Sequence, residues 1–171
     1  MKPSKIKSIR AKKAVFLLPG FRALTWKGIV YCKKEKDIYD INLNDKIDSV
    51  LKCHETIHVR QAEGTKDSWF WFYFKYVMQW LCNLPLIIRG FKMTYKFIAF
   101  ELEAVNHEDE YEYCDKGAVT QWKLFNKLNV SEKLIFAKEY KKSKMTFREF
   151  VKNVVYPYVY NKKSNKYRYM K

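Results

Sequence analysis

Two histidines four residues apart, His54 and His58, bracket Glu55 in the stretch CHETIHVRQ, residues 53–61. The chain holds three histidines in all, and two of them fall in this window. On a helix, residues i and i+4 share a face, so both imidazoles can converge on one metal ion. Glu55 is one step round from His54 and can reach a metal-bound water to take its proton. A third protein ligand and that water complete an open tetrahedral site, and zinc lowers the pKa of bound water to about 7. The plainer alternative is a pair of surface histidines on a helix with a salt bridge.

The elements around this window must position it. Ile47, Val50, Leu51, His54, Ile57, His58 and Gln61 recur at helical spacing. Asn44 or Asp45 is the expected N-cap, Asp48 suits the first turn, and Gly64 is a natural stop. Gln61 lies a turn beyond His58 on the same face, where it can bond a ligand or pack. A second long helix is expected over residues 93–113, and seven acidic residues lie between Glu101 and Asp115. It offers Glu101, Glu103 and Glu108 as third ligands, with His107 as another candidate. Glu103 is two residues from Glu101, so it faces elsewhere and is expected to pair with a lysine. His107 is expected at the surface or in a supporting role. Cys53, next to His54, should point away from the site.

Upstream, AVFLL and RALTWKGIVYC are rich in β-branched and aromatic residues, with Pro19-Gly20 between them. GIVYCKK and IYDINL, separated by Glu35-Lys36-Asp37, read as a hairpin. These form a small N-terminal antiparallel sheet. Residues 68–88 are apolar and aromatic with one charge, Lys75. Their length suits a buried helix first, an interfacial helix second and a membrane span third. FREFVKNVVYPYVY reads as a helix ending near Pro157. The expected organisation is a basic flexible arm over 1–13, one domain over 14–160 and a basic tail over 161–171. The fold class is α+β, mostly helical.

HETIH (54–58), NLPL (83–86) and ELEAV (101–105), taken in that order, resemble the layout of gluzincin-type zinc peptidases, including the HtpX-type and BlaR/MecR-type peptidases. HVRQ (58–61) is also similar to the HExxHxxQ of small bacterial zincin-like proteins. The resemblance covers about residues 44–113. It implies a minimal zincin-like domain whose HExxH helix packs on a second, ligand-bearing helix. It also implies zinc held by His54, His58 and Glu101, with Glu55 as general base. Val105 stands where that pattern has Asp, a residue that orients a ligand histidine there. Asn106, Glu108 and Asp109 are close enough in sequence to substitute. Tyr95 and Tyr111 are candidates to stabilise an oxyanion, as tyrosines do in some zinc peptidases. The implied activity is hydrolysis of a peptide or protein substrate. A zincin-like fold without activity is the alternative that Val105 leaves open.

The formal net charge is +16 and the sequence pI near 9.6, a field that attracts phosphates or an anionic membrane surface. Nucleic-acid binding is the weaker reading, because no RRM, KH or zinc-finger signature appears and the charge gathers at the two ends. Six Lys or Arg lie in residues 1–13, and twelve follow Ser131 against three Glu. The cysteines at 32, 53, 82 and 114 form no CxxC pair, which fits reduced thiols in a cytoplasmic setting. The apolar run Ala14–Leu18 is shorter than a secretory signal requires. The expected location is cytoplasmic, with peripheral or integral attachment to the membrane left open by residues 68–88.

Overall fold

The computed structural model describes residues 9–17, 22–43 and 46–163, which form an α+β, mostly helical chain with a small N-terminal sheet. The chain divides into two compact units: Met1–Phe72 with His107–Val119, and Tyr73–Asn106 with Thr120–Lys171. The expected punctuation at Pro19-Gly20, the expected caps Asn44 and Asp45, and most of the basic arm and basic tail lie outside the described residues.

The first unit holds three short strands, β1 (Arg10–Lys13), β2 (Ala23–Trp26) and β3 (Ile29–Cys32), in the order β1-β3-β2. β2 and β3 form a hairpin across Lys27 and Gly28, both at positive φ, as a two-residue turn between twisted strands requires. β1 pairs with β3 in parallel, so the sheet is mixed rather than wholly antiparallel. Arg10–Lys13, expected at the end of a flexible arm, form a strand of this sheet. Residues 14–17 that follow are not a strand, and Val15 and Phe16 are exposed.

The second half of the expected hairpin is instead helix α1 (Glu35–Asn42). Ile38 and Ile41 sit three apart, a helical spacing, and pack on Ala11, Val30 and Cys32 beneath the sheet. Glu35 and Asp37 lie in its positive first turn. Asn42 locks α1 to β1: its Oδ1 accepts from the Ala11 N–H at 2.8 Å and its Nδ2 donates to the Ala11 carbonyl at 3.0 Å. Helix α2 (Val50–Gly64) carries the histidine pair. Ser49 caps it, its hydroxyl accepting from the Lys52 N–H at 3.3 Å, and it ends at Gly64 as expected. A 3-10 helix, Tyr111–Lys116, lies against α2. There the Arg60 Nε donates to the Cys114 carbonyl at 3.2 Å.

Helix α3 (Trp69–Cys82) is shorter than the apolar run that encodes it, because a 3-10 helix, Leu84–Arg89, takes over after Asn83. Of its fourteen residues Phe72 is buried, six are half-buried and seven are exposed, so the helix is not enclosed on all sides as the first of its three readings expected. The predicted long helix over 93–113 is broken. α4 (Phe91–Lys96) and α5 (Ala99–His107) are separated at Phe97 and Ile98, both fully buried. The Gln79 side chain accepts from the Ala99 N–H at 2.9 Å, satisfying an amide at the start of α5 that has no intrahelical partner.

The second unit continues through α6 (Trp122–Phe125), α7 (Val130–Lys142), α8 (Phe147–Phe150) and α9 (Tyr156–Lys163). Phe97, Phe100, Leu102, Phe125 and Val151 are among its buried side chains. α8 and α9 are joined by a π turn over Val151–Val155, and the helix runs past Pro157 instead of stopping there. A proline ring clashes with the carbonyl four residues back, and a widened turn relieves that clash.

Candidate metal centre

The helical period of α2 sorts its side chains. Cys53, Ile57 and Ala62 are fully buried. The Cys53 thiol turns toward the carbonyls of His107 and Glu110, at 3.5 and 3.8 Å, and its pKa is pushed up by contact with the Cys114 thiol and by burial. His54 and His58 stand together a turn apart, their rings 4.9 Å between centroids and nearly perpendicular. His58 is buried beside the ring of Phe72.

Each histidine is held through the same ring nitrogen. His54 Nδ1 lies 2.8 Å from Glu108 Oε2, and His58 Nδ1 lies 2.8 Å from Gln61 Oε1. A carboxylate and an amide oxygen accept, so both Nδ1 atoms carry a proton, and in the neutral ring the lone pair is then on Nε2. A metal-binding imidazole needs this tautomer when the other nitrogen is held by an acceptor. Glu108 thus fixes the orientation of the His54 ring. Gln61 bonds a histidine rather than merely packing.

Glu101, in the first turn of α5, is buried. Its Oε1 accepts from the Tyr76 hydroxyl at 2.7 Å. Burial first, and the neighbouring Glu101 charge next, hold the Tyr76 pKa well above its ordinary value, so the phenol keeps its proton and donates. The Tyr76 ring stacks on Phe100, 6.1 Å between centroids and 10° from parallel, and Tyr95 lies beside it.

One donor atom from each of His54, His58 and Glu101 lies within 4.8 Å of the others. Among the described residues, this is a group that could bind a metal ion. The donors themselves fit one: two imidazoles whose second nitrogens are tied down, and one carboxylate with an oxygen anchored by a phenol.

Glu55 is buried, and its Oε2 accepts from the Thr25 hydroxyl. Thr25 is on β2, an edge strand of the sheet. Sequence reasoning missed Thr25 and Tyr76. One is a threonine in a short strand and the other is one of thirteen tyrosines. Neither carries a local signal.

Other expectations fall elsewhere. His107 is buried, not at the surface. Its Nδ1 lies 2.6 Å from Glu110 Oε2 and its ring stacks on Tyr113 at 3.7 Å. Glu103 is fully buried and accepts from the Gln121 N–H at 2.5 Å. Tyr111 is exposed on the 3-10 helix, and Tyr95 contacts Tyr76.

Compared with known proteins, the chain matches no family model, no curated protein and no solved structure.

Proposed function

We propose that the chain is a zinc-dependent metallopeptidase that uses His54, His58 and Glu101 as ligands and Glu55 as general base. The observation that carries this reading is the grouping of those three donors, two of them on helix α2, which also presents Glu55 one residue after a ligand. Two imidazoles and a carboxylate are a donor set that suits zinc, with a fourth position left for water or substrate. A bound zinc ion supplies Lewis acidity, polarising a carbonyl and acidifying water.

The remaining work belongs to the chain's own groups. Glu55 takes a proton from the attacking water and returns it to the leaving amine. Its bond from Thr25 fixes the carboxylate and couples it to β2. β2 is an edge strand, so an extended peptide can add to it by main-chain hydrogen bonds beside Glu55. Leu24 and Trp26 on that strand are about half exposed and offer apolar contacts for alternate side chains of such a peptide.

Elemental analysis of wild type, His54→Ala, Glu101→Ala and Glu55→Gln, each assayed on an unfolded protein substrate, tests the reading. The expected result is about one zinc per chain in wild type and Glu55→Gln and almost none in the other two. Hydrolysis should fall about 10²–10⁴-fold in Glu55→Gln. A folded wild type that takes up no zinc would overturn the site. Full hydrolysis by Glu55→Gln would overturn the mechanism.

A further inference from the structure

Helix α3 is the most apolar helix among the described residues, yet Phe72 is its one buried side chain and half of the helix is exposed. Phe70, Phe74, Val77, Met78 and Leu81 are each at least 40% exposed. They stand at i, i+4, i+7, i+8 and i+11, which places them on one face of the helix. Leu84, Ile87, Ile88 and Phe91, in the segment that follows, are exposed as well. Scattered exposed apolar residues need no explanation, but a continuous stripe of large ones does.

We propose that this face of α3 docks on an anionic membrane surface, with the helix lying in the plane of the interface. Length argues for the orientation. Fourteen residues span about 21 Å at 1.5 Å per residue, short of the ~30 Å hydrocarbon core. No helix among the described residues is long and apolar enough to cross a membrane.

Charge argues for the partner. Residues 66–96 hold five Lys or Arg (Lys66, Lys75, Arg89, Lys92 and Lys96) against one acid, Asp67. The whole chain carries +16. A second copy would bring the same charge to the stripe and repel it, while anionic lipid neutralises it. The side chains suit an interface too. Lys66 Nζ lies 5.1 Å above the Trp71 ring and Lys75 Nζ lies 5.0 Å above the Trp122 ring, so their stems run along aromatic surface. Tryptophan and tyrosine favour the headgroup level, and α3 carries three Trp and two Tyr.

Co-sedimentation of the full chain with phosphatidylcholine vesicles, with and without phosphatidylglycerol, tests the proposal. A Phe70→Ser/Val77→Ser/Leu81→Ser variant, which retains every charge, is run beside wild type. Wild type should bind the anionic vesicles about tenfold or more tightly than the neutral ones, as a few lysines near an anionic surface provide. The variant should lose most of that binding while keeping the wild-type circular dichroism spectrum. Equal binding by variant and wild type would overturn the proposal, since charge alone would then account for it. So would wild type that binds no vesicles, or that sediments as a dimer where the variant is a monomer. Neither zinc content nor hydrolysis enters these outcomes, so they stand apart from the peptidase reading.

Discussion

Glu108 shows how one carboxylate can govern a site it does not enter. Its bond to His54 Nδ1 sets both the ring orientation and the tautomer of a candidate ligand. Glu108→Ala should weaken zinc binding by about 10–100-fold with the helix content unchanged, measured by competition with a chromophoric chelator. Unaltered affinity would mean that the pair is only structural. Lys133 is a different buried group. Its ammonium donates to Asn83 Oδ1 at 2.8 Å, and burial pulls its pKa down to about 8. Between about 8 and its ordinary 10.5, the unfolded chain binds more protons than the folded one, so stability rises with pH there. The penalty is fully present at neutral pH. Lys133→Met should therefore stabilise at pH 7, by at most roughly 2–3 kcal/mol and less the cost of leaving Asn83 unpaired. Denaturant titrations at rising pH should show the gap to wild type close through that window.

At the scale of elements, helix ends do much of the placing. α7 begins with a capping box in which Asn129 accepts from the Glu132 N–H at 2.9 Å and Glu132 accepts from the Asn129 N–H at 2.9 Å. Glu132 also receives Tyr158 and Lys162 from α9, each at 2.6 Å, so one carboxylate ties two helices together. Asn129→Ala should cost about 1 kcal/mol of stability, read as a lower denaturation midpoint with an unchanged slope. A change in slope would instead point to loss of cooperative unfolding. In the first unit Asp37, almost fully buried, takes two bonds from the Arg22 guanidinium, at 3.0 and 2.6 Å. That pairing holds the Asp37 pKa below its ordinary value. Its contribution is present above the ordinary carboxylate pKa and is lost as pH falls through the lowered one. Asp37→Asn should therefore flatten the acid limb of the stability curve.

For the whole molecule, charge is the dominant fact. A chain with +16 repels itself when folded, and that repulsion is long-ranged at low salt. The Debye length shrinks from about 30 Å at 0.01 M to about 8 Å at 0.15 M ionic strength. The melting temperature should therefore rise over that range of sodium chloride in a circular dichroism melt. A falling value would mean that attractive pairs such as Arg22–Asp37 outweigh the net repulsion.

By itself, the sequence determined what depends on short range. The helical period of 50–64 put His54 and His58 on one face, Gly64 ended that helix, and the mostly helical class with a small N-terminal sheet followed from pattern alone. The tertiary structure decided what depends on burial and on distant neighbours. Ile38 and Ile41 suit a strand or a helix by type, and the sheet they cover made α1 a helix. The α3 segment is apolar enough for a core, but packing left half of it exposed. Glu101 and Glu103 differ by two positions in one helix, and only the fold gave one to the Tyr76 hydroxyl and the other to the Gln121 amide. The partners that orient the site, Glu108 on His54 and Thr25 on Glu55, lie 54 and 30 residues from what they hold. No local period reaches that far.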